Sequence, residues 1–273
     1  LLSLNIKKQL ANFLSEDIGK GDITSALLPK RKISARIISR ENAVVAGVKY
    51  AKEIFGLKGC NVKIVKKDGS KIKPNQTIMT ITGNADQILM CERTALNLLT
   101  RMSGIATQTN DLVGKISKSK AELYATRKTA PGLRYFDKEA VEIGGGKKHR
   151  LKLDEMVMIK DNHIAVGDSL VSLIKSAKRK YKKFEVEVEN TPDAILAANE
   201  GATIIMLDNF SPDQIRKTIL ILKNMKLRSR VMLEASGGIN SKNIVKYANT
   251  GVDIISVGSI TNSVKGIDLS LEI

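Results

Sequence analysis

The sequence predicts an α/β protein: an incomplete parallel α/β barrel of about six strands, preceded by a sandwich-like α+β module. Three observations predict it. From Ala121 onward the chain alternates strand, loop and helix, which argues parallel strands joined by right-handed crossovers. Before that point the strands are short and the turns local. Polar residues then gather at the carboxyl ends of successive strands: Arg127-Lys128, Lys160, Glu187 with Glu189, Asp208, Glu234 with Ser236-Gly237-Gly238, and Gly258. An open doubly wound sheet collects its ligand residues at one switch point, whereas many strand ends converging on one mouth is barrel behaviour.

Residues 1–14 carry apolar side chains at helical spacing without a cleavage-site pattern, so they read as a helix and not a signal peptide. A strand follows at 32–39, with Ile33, Ala35 and Ile37 on one side, then a short one at 43–45 and a helix at 48–55 stopped by Gly56. Strands at 62–65 and 78–81 flank Asp68-Gly69 and Pro74-Asn75, which have hairpin chemistry. Asn84 caps a helix reaching about Met102, and a second helix runs from Gly104 to Ile116. The barrel strands are expected at 123–126, 156–160, 184–188, 204–207, 231–234 and 254–257. Thr191-Pro192 and Ser211-Pro212 place a capping hydroxyl before proline at the first helical position. Gly167-Asp168 precedes a helix at 169–179, and Asn240-Ser241 opens one ending near Gly251. The domains are therefore 1–115 and 116–262, with the tail 263–273 free to rejoin the first.

At 273 residues the chain buries a proper core, and no apolar run approaches a membrane span. The net charge of +17 admits nucleic acid, an anionic membrane or small anions as partners. Aromatics at 4%, no Trp and no zinc-finger spacing argue against nucleic acid, and the lysine run at 175–183 reads as a solvated helix face. Cys60 and Cys91 form neither a metal pattern nor a disulfide framework, so a reducing cytoplasm is expected. No G-x-G-x-x-G or Walker loop is present, which argues against dinucleotides and nucleoside triphosphates.

The chemistry concentrates between Tyr124 and His163. One strand hands over to Arg127-Lys128 and another to Lys160. Between them lie a Pro131-Gly132 turn, Gly144 to Gly146 and the basic run Lys147-Lys148-His149-Arg150. Close-approaching backbone plus donors fixed on rigid elements is how an anion pocket is built. Ser236, Gly237 and Gly238 close a strand ahead of a helix and suit an oxyanion, with Val257, Gly258 and Ser259 as the other wall. Glu187 and Asp208, ending neighbouring strands among these cations, suit ribose hydroxyls or a magnesium–pyrophosphate ion.

TRKTAPGLR, KxAVxxGGGxxHR and IKDNH in this order resemble the quinolinate phosphoribosyltransferase family, the carboxylating nicotinate-nucleotide pyrophosphorylases. The resemblance extends to EDIGKGDITS, ERTALN, GIAT, EVEVEN, LDNF, EASGGI and GVDIISVG, and so spans nearly the whole chain. It implies an incomplete α/β barrel that transfers phosphoribosyl from phosphoribosyl pyrophosphate to quinolinate, releasing pyrophosphate and CO2 and leaving nicotinate mononucleotide. It implies catalytic roles for Lys128, Lys160, Glu187 and Asp208, and a quinolinate clamp of Arg127, His149, Arg150 and Lys160 beside Thr126. It places the ribose 5-phosphate at Ser236, Gly237 and Gly238, and Mg²⁺ arrives with the diphosphate, with no resident metal. It also implies a homodimer or larger assembly in which Arg93 reaches the neighbouring subunit's barrel. One departure stands out: many members carry Thr-His-Ser after the last strand, and this chain has Thr261-Asn262-Ser263. Rival readings are a sibling group tied to molybdate transport, a lyase forming a Schiff base on Lys128 or Lys160, and a basic nucleic-acid binder.

Overall fold

The computed structural model describes residues 2–167 and 169–273, so Leu1 and Asp168 of the expected opening helix and turn lie outside the described residues. Contacts divide the chain into two units. One comprises the residues up to Asn110 with Glu139–Gly145 and Val264–Ile273; the other comprises Asp111–Lys138 and Gly146–Ser263.

In the first unit α1 (Leu4–Ile18) buries Ile6, Leu10 and Leu14, a stripe at four-residue spacing. Ser3 sets its start by accepting from Ile6 N–H, and Gly19 at φ 57° ends it, so the helix runs later than expected. The strands β1 (Lys32–Ser39), β2 (Ala43–Val44), β3 (Asn61–Ile64), β4 (Lys71–Ile72) and β5 (Thr77–Asn84) and the helix α2 (Val48–Gly56) follow. The main sheet is antiparallel, ordered tail strand (Leu269–Glu272), β1, β5, β3. Arg36 pairs with Glu272 in the ladder, and their side chains also meet at 2.9 Å.

The link from β3 to β5 is not a tight hairpin, because β4 leaves it to pair with β2. Asp68 instead accepts from the N–H groups of Gly47 and Val48 at 2.6 and 3.0 Å, which caps α2. The two helices expected around Gly104 are one helix, α3 (Ala85–Ile116). A Cβ on Gly104 would overlap the carbonyl oxygen of Lys265, so this glycine serves close packing and does not break the helix.

The second unit runs β6 (Glu122–Ala125), α4 (Arg134–Ile143), β7 (Val157–Ile159), α5 (Asp161–Val166), α6 (Leu170–Lys180) and β8 (Phe184–Val188). It continues through α7 (Thr191–Glu200), β9 (Ile204–Asp208), α8 (Pro212–Asn224), β10 (Met232–Ser236), α9 (Ile244–Ala248), β11 (Ile254–Val257) and α10 (Ser259–Asn262). The six strands are parallel in the order β6-β11-β10-β9-β8-β7. They follow chain order around a ring that is open between β7 and β6, which is the incomplete barrel expected. Val186, Ile205, Leu207, Leu233, Ala235 and Ile255 point outward, fully buried, each large one contributing about 1.5–3 kcal/mol. α7 and α8 cover that side with Ala194, Ala197, Ile215 and Leu222.

Several local expectations are corrected. Between β6 and β7, where the sequence offered only a turn, glycines and a basic run, α4 occupies the middle and buries Phe136, Lys138, Ala140 and Val141. Asn190, not Thr191, caps α7 by accepting from Asp193 N–H, and Ser211 with Gln214 forms a capping box at α8. α9 starts at Ile244, because Asn240 and Asn243 spend their side chains on turns, each donating to Gly238 O. The glycine loop at 237–238 therefore lies apart from a helix N-terminus.

Candidate active site

Parallel register fixes which side chains share the inner face. Met158 pairs with Glu185, Glu187 with Met206, Asp208 with Ser236, Glu234 with Ile254, and Ser256 with Tyr124. Neighbours in register point the same way, and alternate residues keep that face. Lys160, Glu187, Asp208, Ser236, Gly258 and Thr126 consequently ring one mouth at the carboxyl ends of the strands.

Around that mouth the predicted residues do come together. Thr126 Oγ1 accepts from Lys128 N–H at 3.1 Å, and a Cβ on Gly258 would touch the Lys128 side chain, Thr126 Oγ1 and Asn262 Nδ2. Thr261 Oγ1 donates to Lys128 O at 2.9 Å, so α10, which begins with Ser259 after Val257 and Gly258, is fastened to the end of β6. Burial raises the Glu187 pKa, and repulsion from Asp208 adds to it while Lys160 and Lys128 oppose. Those four charges therefore share one neighbourhood. Gly237 and Gly238 adopt φ of 90° and 62°, and any side chain on Gly237 would overlap Asn209. Asn209, itself at φ 56°, donates to Asp208 Oδ2 at 2.7 Å and ties the ends of β9 and β10 through its N–H to Ser236 O. Sequence reading did not single out Asn209; its place inside LDNF was the available signal.

The basic run after Gly146 docks on the barrel wall. Lys147 N–H donates to Leu123 O, and Ala125 N–H donates to Lys147 O. Arg150 reaches β7, donating to Met156 O at 2.8 Å and to Met158 Sδ at 3.1 Å. Its pKa is lowered by burial and then by Arg127. Two guanidinium groups thus lie near each other, and the Nε of each is buried with no acceptor among the described residues.

His149 does not join them as a clamp. At φ 50° its ring turns into the barrel, 8% exposed, and faces Glu185 at 3.2 Å and Glu234 at 3.5 Å, both fully buried. These three groups hold ligand-type atoms within 4.8 Å of one another. Arg150 N–H donates to His149 Nδ1 at 2.8 Å, however, so the ring proton sits on Nε2 and no lone pair faces the carboxylates. The cluster shares protons and does not present a metal site. Burial alone would lower the His149 pKa, but bonding to and charge on Glu185 and Glu234 outweigh it and bring it up to about 9. Burial raises Glu185 as well, while Ser256 Oγ donates to Glu234 at 2.5 Å. Sequence reading missed this partnership, which is long-range.

Arg93 lies exposed on α3 of the first unit, and among the described residues no acid pairs with it.

Known proteins share this sequence and fold over nearly the whole chain. The family described as quinolinate phosphoribosyl transferase, N-terminal domain, matches residues 22–103, and its C-terminal domain counterpart matches 105–272. A probable nicotinate-nucleotide pyrophosphorylase [carboxylating] of Methanothermobacter thermautotrophicus is 44% identical over 271 residues, covering 97% of each chain. The nicotinate-nucleotide pyrophosphorylase [carboxylating] of Mycobacterium leprae is 39% identical, covering 95% of this chain and 94% of that one. Among solved structures, the nicotinate-nucleotide pyrophosphorylase from Francisella tularensis superposes with a TM-score of 0.93 at 39% identity, covering 100% of this chain and 97% of that one.

Proposed function

The chain belongs to the quinolinate phosphoribosyltransferase family, and from that premise we propose how its residues divide the work. The enzyme transfers phosphoribosyl from phosphoribosyl pyrophosphate to quinolinate with decarboxylation, a step of NAD biosynthesis. The quinolinate nitrogen attacks the anomeric carbon, the bond to the diphosphate breaks, and pyrophosphate leaves through an oxocarbenium-like transition state. The carbon–carbon bond to the carboxylate beside the nitrogen then breaks, releasing CO2. Its electron pair stays on the quaternised ring and takes up a proton, giving nicotinate mononucleotide.

In this reading Arg127, Arg150 and Lys160 hold the two quinolinate carboxylates. The observation that carries it is the pair of neighbouring guanidinium groups with buried, acceptor-less Nε donors. Buried guanidinium donors left without an acceptor are costly unless an anion arrives. Arg93 of a second subunit completes the clamp, since it is exposed and no acid among the described residues pairs with it. The loops at 236–238 and 257–259 take the 5-phosphate, with Lys128 reaching from beside Gly258 toward the departing diphosphate. Glu187 and Asp208 accept from the ribose hydroxyls. Mg²⁺ comes with the diphosphate as part of that substrate. His149 supports the floor of the site from within the barrel and makes no carboxylate contact. Most of the acceleration comes from alignment and charge neutralisation. The assembly is at least a homodimer, working in the cytoplasm, which two unbridged, buried cysteines suit. The purified protein should release CO2 from carboxyl-labelled quinolinate only when phosphoribosyl pyrophosphate and Mg²⁺ are present; release without the phosphoribosyl donor overturns the reading.

A further inference from the structure

We propose that Lys138 is a positioning residue that aims the Arg150 guanidinium at quinolinate. Lys138 lies on α4 and is fully buried, yet among the described residues no carboxylate pairs with it. Its ammonium donates to the carbonyl oxygens of Lys148 and Arg150, the latter at 2.7 Å. Those two carbonyls bracket His149, the residue in left-handed backbone conformation whose ring turns inward. One turn earlier on the same helix, Arg134 donates to Leu151 O at 3.1 Å and to Thr129 Oγ1 at 3.2 Å. One face of α4 thus supplies the donors for the segment from 148 to 151.

A buried amine with no carboxylate bonded to it costs more than a methylene chain of the same size, unless backbone acceptors depend on it. Here they do. The N–H of Arg150 is taken by His149 Nδ1 and its C=O by Lys138, so both backbone groups that set the direction of its side chain are held. The guanidinium can then bond Met156 O and Met158 Sδ while its Nε stays free for a ligand. Burial, aided by Arg134, Arg127 and Arg150 and opposed by the Glu155 carboxylate, pushes the Lys138 pKa down to about 8, which places the amine near these cations. Lys138 does not touch substrate; it acts through Arg150.

The inference rests on the clamp reading above, and a double-variant cycle separates the two. Steady-state KM for each substrate and kcat are measured for Lys138→Met, Arg150→Ala and the pair, with thermal melts to verify folding. Lys138→Met should raise the quinolinate KM by about tenfold or more and leave the phosphoribosyl pyrophosphate KM within about twofold. In the Arg150→Ala background the same substitution should change the quinolinate KM by less than about twofold, because the group it aims is gone. Equal losses for both substrates, or a full tenfold effect on top of Arg150→Ala, overturn the positioning role while leaving the clamp standing. An unchanged quinolinate KM in Arg150→Ala alone overturns the clamp and this inference with it. Should Lys138→Met not fold, Lys138→Gln keeps two N–H donors on a shorter, uncharged stem and enters the same cycle under the same criteria.

Discussion

At the scale of single residues, clustered cations with donors left over for a ligand are the organising fact. Arg127 and Lys160 stand at the ends of β6 and β7, and each is expected to make a charge-assisted contact with a substrate carboxylate. Arg127→Ala or Lys160→Ala should weaken quinolinate binding by about 1.5–3 kcal/mol, or about 10- to 150-fold, with the melting temperature little changed. Calorimetry on both variants checks this, and unchanged affinity in both removes the clamp. The buried trio makes a separate prediction about pH. The His149 pKa in the fold is about 9, above its ordinary 6.5, so the folded state binds more protons than the unfolded state between those values. The stability from this proton is full below about pH 6.5 and is lost as pH rises through about 9. Lys138, pushed down to about 8, works the other way above that pH, so the comparison must be between variants. Replacing His149 by Gln should flatten the fall in chemical-denaturation stability between pH 6.5 and 9. A parallel wild-type and variant slope would show that His149 does not hold the proton.

At the scale of elements, the loop after β10 gives the sharpest expectation. Gly237 has φ 90° and lies against Asn209, whose side chain is bonded to Asp208. Gly237→Val strains the backbone and displaces Asn209, so it should damage phosphoribosyl pyrophosphate binding more than quinolinate binding. Fluorescence or calorimetric titration of each substrate decides it, and the opposite order of loss would mean that the two ends of the site are interchanged. The strand-end ring at Lys160, Glu187, Asp208 and Ser236 was legible in the sequence because parallel strands alternate faces and finish in polar residues. Helix α4 was not, because Pro131, Gly132 and the glycines at 144–146 punctuate both its flanks and make the whole stretch look like loop. Lys138 was hidden for a related reason: a lysine beside Asp137 and Glu139 reads as a solvated helix face until its ammonium is seen under the backbone of 148–150. Gly104 misled in the opposite sense, since close packing and helix breaking both call for glycine.

At the scale of the whole molecule, function turns on whether one chain makes a complete site. The clamp residues Arg127, Arg150 and Lys160 belong to the barrel unit, whereas Arg93 sits on α3 in the other unit, exposed and without an acidic partner among the described residues. A charged side chain left free on a helix surface is ordinary by itself. Its motif, ERTALN, and the buried Nε donors of Arg127 and Arg150, without an acceptor among the described residues, support the proposal that it serves a neighbouring subunit. A barrel mouth open to water screens the charges that stabilise a leaving diphosphate, and a second chain laid over it excludes part of that water. Arg93→Ala and Lys160→Ala should each abolish most activity by removing one clamp contact. Mixing the two inactive variants and allowing subunits to exchange should restore activity, because one of the two sites in each hybrid dimer then has neither lesion. With complete exchange, half of the dimers are hybrids and each has one intact site in two, so recovery approaches about a quarter of wild-type activity on statistical grounds. Differently tagged subunits and a pull-down establish that hybrids formed. Hybrids that form yet stay as inactive as their parents would place Arg93 in its own subunit's service, and the clamp would then be completed without a partner.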